Sequence, residues 1–169
     1  LLAYLRPGGD VIVSLPNLAF GDIKIGLLND EFNYTPTGIL DNTHLRFFTY
    51  KSIARFLAEA GLVVTDSGFK LSGLDPKLKA ELDDELYKRI QANMHSFVYQ
   101  YVLKCKQSER SVDELCVMNL TMIDNSLSDV RPRLVMLGAK ELLSTLLPPG
   151  SKWRSMLRDL VAMIRLGHQ

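Results

Sequence analysis

Cysteine is scarce in this chain. Only Cys105 and Cys116 occur in 169 residues, with neither metal spacing nor the density of a disulfide framework. That excludes a disulfide-stapled secreted module and makes a reducing, cytoplasmic setting the expectation. An excess of either charge is also missing. Lys and Arg number 20 against 19 Asp and Glu, so no global basic field draws in nucleic acid. No apolar run reaches the roughly 20 residues that a membrane helix needs. No signal peptide, internal repeat or low-complexity tract is visible. His95 and His168 have no partners at ligand spacing, so no metal site is expected.

What is present is an apolar share of 47%, enough for a sizeable core. Leu1, Leu2 and Leu5 read as the tail of an amphipathic helix, with Arg6 at its cationic end and Pro7-Gly8-Gly9 as its stop. Asp10 to Leu15 is a short, β-branched apolar run that suits a strand covered on both faces, as in a parallel sheet. A chain opening inside a helix-to-strand crossover reads as the back half of a larger α/β domain. Residues 18–48 form a long irregular connection of the kind that serves as a functional loop or lid, with a short helix expected between Phe20 and Leu28.

The clearest helix spans residues 49–61. Thr49 is a good N-cap, Ile53, Phe56, Leu57 and Ala60 share one face, and Gly61 suits the C′ position. Leu62 to Phe69 reads as a strand, residues 76–95 as one amphipathic helix, and Ser96 to Lys106 as a further strand. Beyond that the chain changes character. Val112–Met122 and Arg133–Leu147 read as two helices parted by a polar stretch with Pro132. A last helix from Ser151 carries Trp153 on its apolar stripe. Residues 151–169 hold four Lys or Arg and one Asp, a formal charge of +3. That helix can touch an anionic membrane surface, dock on a neighbouring domain or second copy, or pack on residues 107–147.

Leu5-Arg6-Pro7-Gly8-Gly9, the strand ending in Pro16-Asn17, and the block LDNTHLRFFTYKSIARFLAEAGL together resemble the C-terminal half of a class I S-adenosylmethionine-dependent methyltransferase. The branch resembled is a bacterial one often found beside glycosyltransferases in surface-polysaccharide pathways. The resemblance covers roughly residues 1–106. It implies an α/β fold: a partial Rossmann-like methyltransferase sheet made of the last three strands, with Asp10–Leu15 fifth, Leu62–Phe69 sixth and an antiparallel Phe97–Lys106 seventh. Residues 107–169 follow as a helical tail. The family's glycine-rich cofactor loop and the acidic residue ending its second strand have no counterpart, and the chain contains no Gly-x-Gly.

The implied activity is methyl transfer from S-adenosylmethionine to an oxygen of a sugar or other small-molecule acceptor. His44 is the candidate base, since a hydroxyl must lose its proton as the methyl leaves sulfur, and Asp41 can orient its ring. The other reading of His44 is a loop histidine bonded to backbone. Arg46 can fork onto an acceptor phosphate or carboxylate, or pair with Asp41 or Glu59. Asn17 either bonds acceptor or cofactor, or turns the chain. Tyr34, with Phe20 and Phe32, either stacks on a sugar or closes the loop's own small core. Phe47 and Phe48 read as core.

The alternative function is a non-catalytic docking module that positions a glycosyltransferase or other partner. A sheet cut at its fifth strand also exposes an apolar edge at Asp10–Leu15, so a homodimer or covering helices are expected. Contact of the last helix with the inner face of the membrane is a further partner expectation.

Overall fold

The computed structural model describes residues 2–146, with side chains up to Asp129; the last helix expected from Ser151 lies outside the described residues. Two compact units divide the chain, 1–129 and 130–169. Three strands, β1 (Val11–Pro16), β2 (Leu62–Leu71) and β3 (Val98–Gln107), form one sheet in the order β1-β3-β2. β3 is antiparallel to both neighbours, so β1 and β2 run the same way without touching. The helices are α1 (Gly21–Leu28), α2 (Tyr50–Glu59), α3 (Pro76–Ala80), α4 (Asp84–Ala92) and α5 (Val112–Leu146). The chain is therefore α/β, with an antiparallel three-stranded sheet.

Alternation decides which face is buried. Tyr101, Leu103 and Cys105 of β3 are fully buried, and so is Val64 of β2, paired with Cys105. Val102, between them, is 42% exposed, and Ile12 of β1 is 63% exposed. The expectation that β1 is covered on both faces is thus corrected. Its one neighbour runs antiparallel, and alternate residues Ile12 and Ser14 face open solvent. Among the described residues no strand pairs with the outer edge of β1.

Local signals explain α2. Thr49 and Ser52 form a reciprocal capping box, and Gly61, at φ +68°, ends the helix where a side chain would be strained. Ile53, Ala54, Leu57 and Ala58 are buried, whereas Phe56 sits at the margin against Phe48, ring centroids 5.1 Å apart. The single helix expected over 76–95 is instead α3, α4 and a 3-10 turn at Met94–Phe97. Asp75 caps the start at Lys77 N–H, and Asp83 and Asn93 interrupt the run by capping new starts at Leu86 N–H and His95 N–H. The two helices expected after residue 111 are one, α5, which runs through Pro132. Proline removes one helical hydrogen bond, and the helix-forming residues on either side carry it across.

Up to Asp129, α5 belongs to the same compact unit as the sheet. Leu115, Ile123 and Leu127 are buried there, and so is Asn119. The Asn119 amide accepts from Val64 N–H at 2.7 Å and donates to the carbonyls of Ala54 and Leu62 at 3.2 and 3.1 Å. One side chain thereby ties α5 to α2 and β2. No helix among the described residues is long and apolar enough to cross a membrane. Asn119→Ala leaves the buried Val64 N–H without this partner and takes one donor from each of the Ala54 and Leu62 carbonyls, and urea denaturation is expected to show a loss of about 2 kcal/mol. An unchanged midpoint would mean that α5 is held by its apolar stripe alone.

Candidate functional site

The long connection leaves and returns at the carboxyl end of β1. Leu18 N–H donates to the Phe48 carbonyl at 2.8 Å, and Asn17 and Phe48 form a parallel bridge. In open α/β sheets this end of the strands is where ligands bind. Asn17 is fully buried. Its amide donates to the carbonyls of His95 and Val98, both at 2.8 Å, and its side-chain oxygen accepts from Ala19 N–H at 3.0 Å. Both amide protons are therefore spent on backbone, and Asn17 acts by anchoring the loop rather than by facing outward.

Aromatic rings gather further along the loop. Phe32 meets Tyr34 at 5.5 Å and Phe47 at 5.7 Å, edge to face, and Phe47 meets His44 at 6.2 Å. Tyr34 is 59% exposed, so the cluster presents a surface. Phe20 is different: it is buried with Ile39 and Leu40 and packs on Tyr99. Phe32 and Tyr34 thus stand at the loop surface, and Phe20 closes its core.

His44 is oriented by backbone. Its Nδ1 lies 3.1 Å from the Ile39 carbonyl. A carbonyl only accepts, so Nδ1 carries the proton and a neutral ring keeps its lone pair on Nε2. Asp41, expected to orient the ring, instead accepts from Thr43 N–H at 2.8 Å and Thr43 Oγ1 at 2.7 Å. Those bonds hold its carboxyl below the usual range. The turn is closed by His44 N–H donating to the Asp41 carbonyl at 3.0 Å. Asp41 therefore shapes the backbone that presents His44. Arg46 is exposed and pairs with no carboxylate among the described residues; Glu59 is taken by Arg55 at 2.9 Å. The structure brings Tyr34 and His44 together around Phe47, with Asp41 and Arg46 in the same turn, and sets Asn17 apart.

A second cluster has no sequence signal. His95, 7% exposed, stacks flat on Tyr50 at 3.6 Å, with Nδ1 2.8 Å from the Tyr101 hydroxyl and Nε2 2.9 Å from Asp124. Nε2–H donates to the carboxylate, so Nδ1 accepts from the hydroxyl. Burial pushes the His95 pKa down, against the opposing pull of Asp124, and pushes the Tyr101 hydroxyl up. Both ring nitrogens are spent, so this cluster fastens α5 to the turn before β3. Asp124 lies 29 residues from His95, and only the packing of α5 joins them.

The linkage has a definite sign. The folded chain keeps His95 neutral below its ordinary value of 6.5, while the unfolded chain takes up the proton. Stability from this group is full above pH 6.5 and falls as the pH drops below it. Urea midpoints measured from pH 7.5 to 5 should decline in the native chain and decline less in His95→Gln. Equal slopes in both would exclude His95 as the cause.

Between α1 and residues 31–40 lies a cleft of about 300 Å³, with Phe20, Ile39 and Tyr99 among its apolar walls and Asp22 and Glu31 among its polar ones. Asn17, Tyr34, Asp41, His44 and Arg46 do not line it. Asn33 and Thr35 do, while Phe32 and Tyr34 belong to the aromatic cluster, so the segment alternates between the two. No protein-family model matches this chain, and no curated protein matches it.

Proposed function

We propose that this chain forms the acceptor-binding side of an S-adenosylmethionine-dependent O-methyltransferase acting on a sugar or other small hydroxylated molecule. The observation that carries the reading is His44: its Nδ1–H is fixed on the Ile39 carbonyl, which leaves Nε2 as the acceptor beside an exposed aromatic surface. An acceptor hydroxyl bonded to Nε2 can pass its proton there. The O–H bond breaks, an N–H bond forms, and the oxygen is left with the electron pair of a nucleophile. Tyr34 and Phe32 offer rings for the C–H face of a sugar, and the exposed Arg46 offers a fork for a phosphate or carboxylate on it. Strand direction supports the reading as well. β1 and β2 run together and β3 opposes them, as the resemblance implies for its fifth, sixth and seventh strands.

The residues present do not fit the cofactor itself. The sequence has no Gly-x-Gly loop to cradle it, and among the described residues no strand pairs with the outer edge of β1. The proposal is therefore confined to the acceptor side. Titration of glucose, glucuronate and glucose 1-phosphate, followed by NMR, tests it. Ring resonances of His44 and Tyr34 should move, and Arg46→Ala should weaken the two anionic sugars about tenfold while sparing glucose. The reading fails if none of the three sugars moves those resonances.

The free edge favours a second reading, a docking module that pairs with a second copy or positions a glycosyltransferase. Ile12, 63% exposed on that strand, gives the means to test it. On this reading the chain sediments as a dimer at micromolar concentration and Ile12→Lys makes it a monomer; a native monomer would exclude self-pairing.

A further inference from the structure

The cleft between α1 and residues 31–40 is separate from the His44 cluster, and its lining has a distinct chemistry. Phe20 and Ile39, both buried, form its floor, and Tyr99 stands edge to face with Phe20 at 5.5 Å. Two carboxylates, Asp22 and Glu31, are in its wall; no Lys or Arg lines it, and the nearest cation to its rings is Lys70, whose Nζ stands 4.6 Å from the centre of the Tyr99 ring. One acid is partly engaged, because Asp22 accepts from Asp75 N–H at 2.9 Å. The Glu31 side chain has no hydrogen bond or ion pair among the described residues. The space is also kept open by the backbone. At Gly38, φ is +106° and an added Cβ would fall 3.1 Å from the Tyr99 hydroxyl, so a side chain there would be strained and would crowd the wall.

We propose that this cleft binds a small cationic sugar, an amino sugar, with its ring against Phe20, Ile39 and Tyr99 and its ammonium between Asp22 and Glu31. The proposal rests on the acceptor reading above for its sugar, and on the cleft alone for its cation. A volume of about 300 Å³ stands at the small end of ligand pockets, the size of a monosaccharide rather than a chain. An apolar floor with a few convergent polar groups is the usual build of such sites. Burial lifts the Asp22 carboxyl above its usual range, a strain that a neighbouring ammonium relieves. The site would lie back to back with His44, since the Ile39 side chain lines the cleft and its carbonyl holds the imidazole.

The test uses glucosamine, N-acetylglucosamine and glucose, titrated at pH 7 into the full 169-residue chain and followed by amide NMR. Glucosamine should move Thr35, Ile39 and Tyr99 and bind at least fivefold more tightly than the two neutral sugars. Glu31→Gln should reduce that affinity at least fivefold without altering amides away from the cleft, because among the described residues its carboxylate makes no hydrogen bond or ion pair. Equal affinity for all three sugars, or an unchanged affinity in Glu31→Gln, would overturn the proposal. The two readings fail separately. Glucosamine shifts at the cleft with no sugar moving the His44 ring would uphold this site and sink the acceptor site. Movement of His44 alone would do the reverse.

Discussion

The buried side chain of Asn17 is the constraint on which the rest of this fold depends. It stands where β1 ends and the long loop begins, and its amide bonds reach the two carbonyls that flank the entry to β3. The end of β1, the start of the loop and the 3-10 turn before β3 are thereby fixed to one another through a group with no solvent to fall back on. Losing that amide would remove one bond from each carbonyl, and the His95 carbonyl would keep only its bond from Val98 N–H, at a cost of about 1–3 kcal/mol. One of those carbonyls belongs to His95, whose ring in turn holds Asp124 of α5. A single line of polar contacts therefore runs from the sheet end to the long helix, and the loop hangs from its first member.

The sheet built around this line is unequal on its two faces. Helices α2 and α5 cover one, and Asn119 welds them to β2. The other carries Ile12 and Val102 in the open among charged neighbours, with Lys104 bridged to Asp10 at 3.1 Å. Charge on an exposed strand edge is how proteins discourage random pairing, and here it guards only the start of β1. Among the described residues nothing pairs with the rest of that edge, and its side chains there are mostly apolar.

Much of this could be read from local chemistry. Thr49 and Gly61 bound α2 because caps are written in adjacent residues, and the β-branched runs marked all three strands. Long-range packing was not legible. Strand order depends on which edges meet, and the alternation in β1 was hidden because Val, Ile and Leu occupy both its faces. Asp83 breaks an apparently continuous helix, since an acidic residue mid-pattern reads equally as surface or cap. Pro132 misled in the other direction. In the site, His44 and Tyr34 were visible as residue types, but the carbonyl that orients His44 carries no side-chain signature at all. His95 was dismissed for want of ligand spacing, when its true partners are a tyrosine six residues on and a helix 29 residues away.

The loop segment 32–40 gives the site its logic. Residues 32–35 form an alternating strip, with Phe32 and Tyr34 in the aromatic cluster and Asn33 and Thr35 in the cleft; beyond it the chain bends, and Thr37 to Leu40 all line the cleft. Ile39 closes that strip, buried and packed against Phe20 and Leu40. Its carbonyl holds the His44 proton while its side chain meets the cleft. Close-packed interiors transmit displacement rather than absorb it. Ile39 is thus a residue common to both surfaces, and its near-complete burial is what fixes the carbonyl that holds the His44 ring.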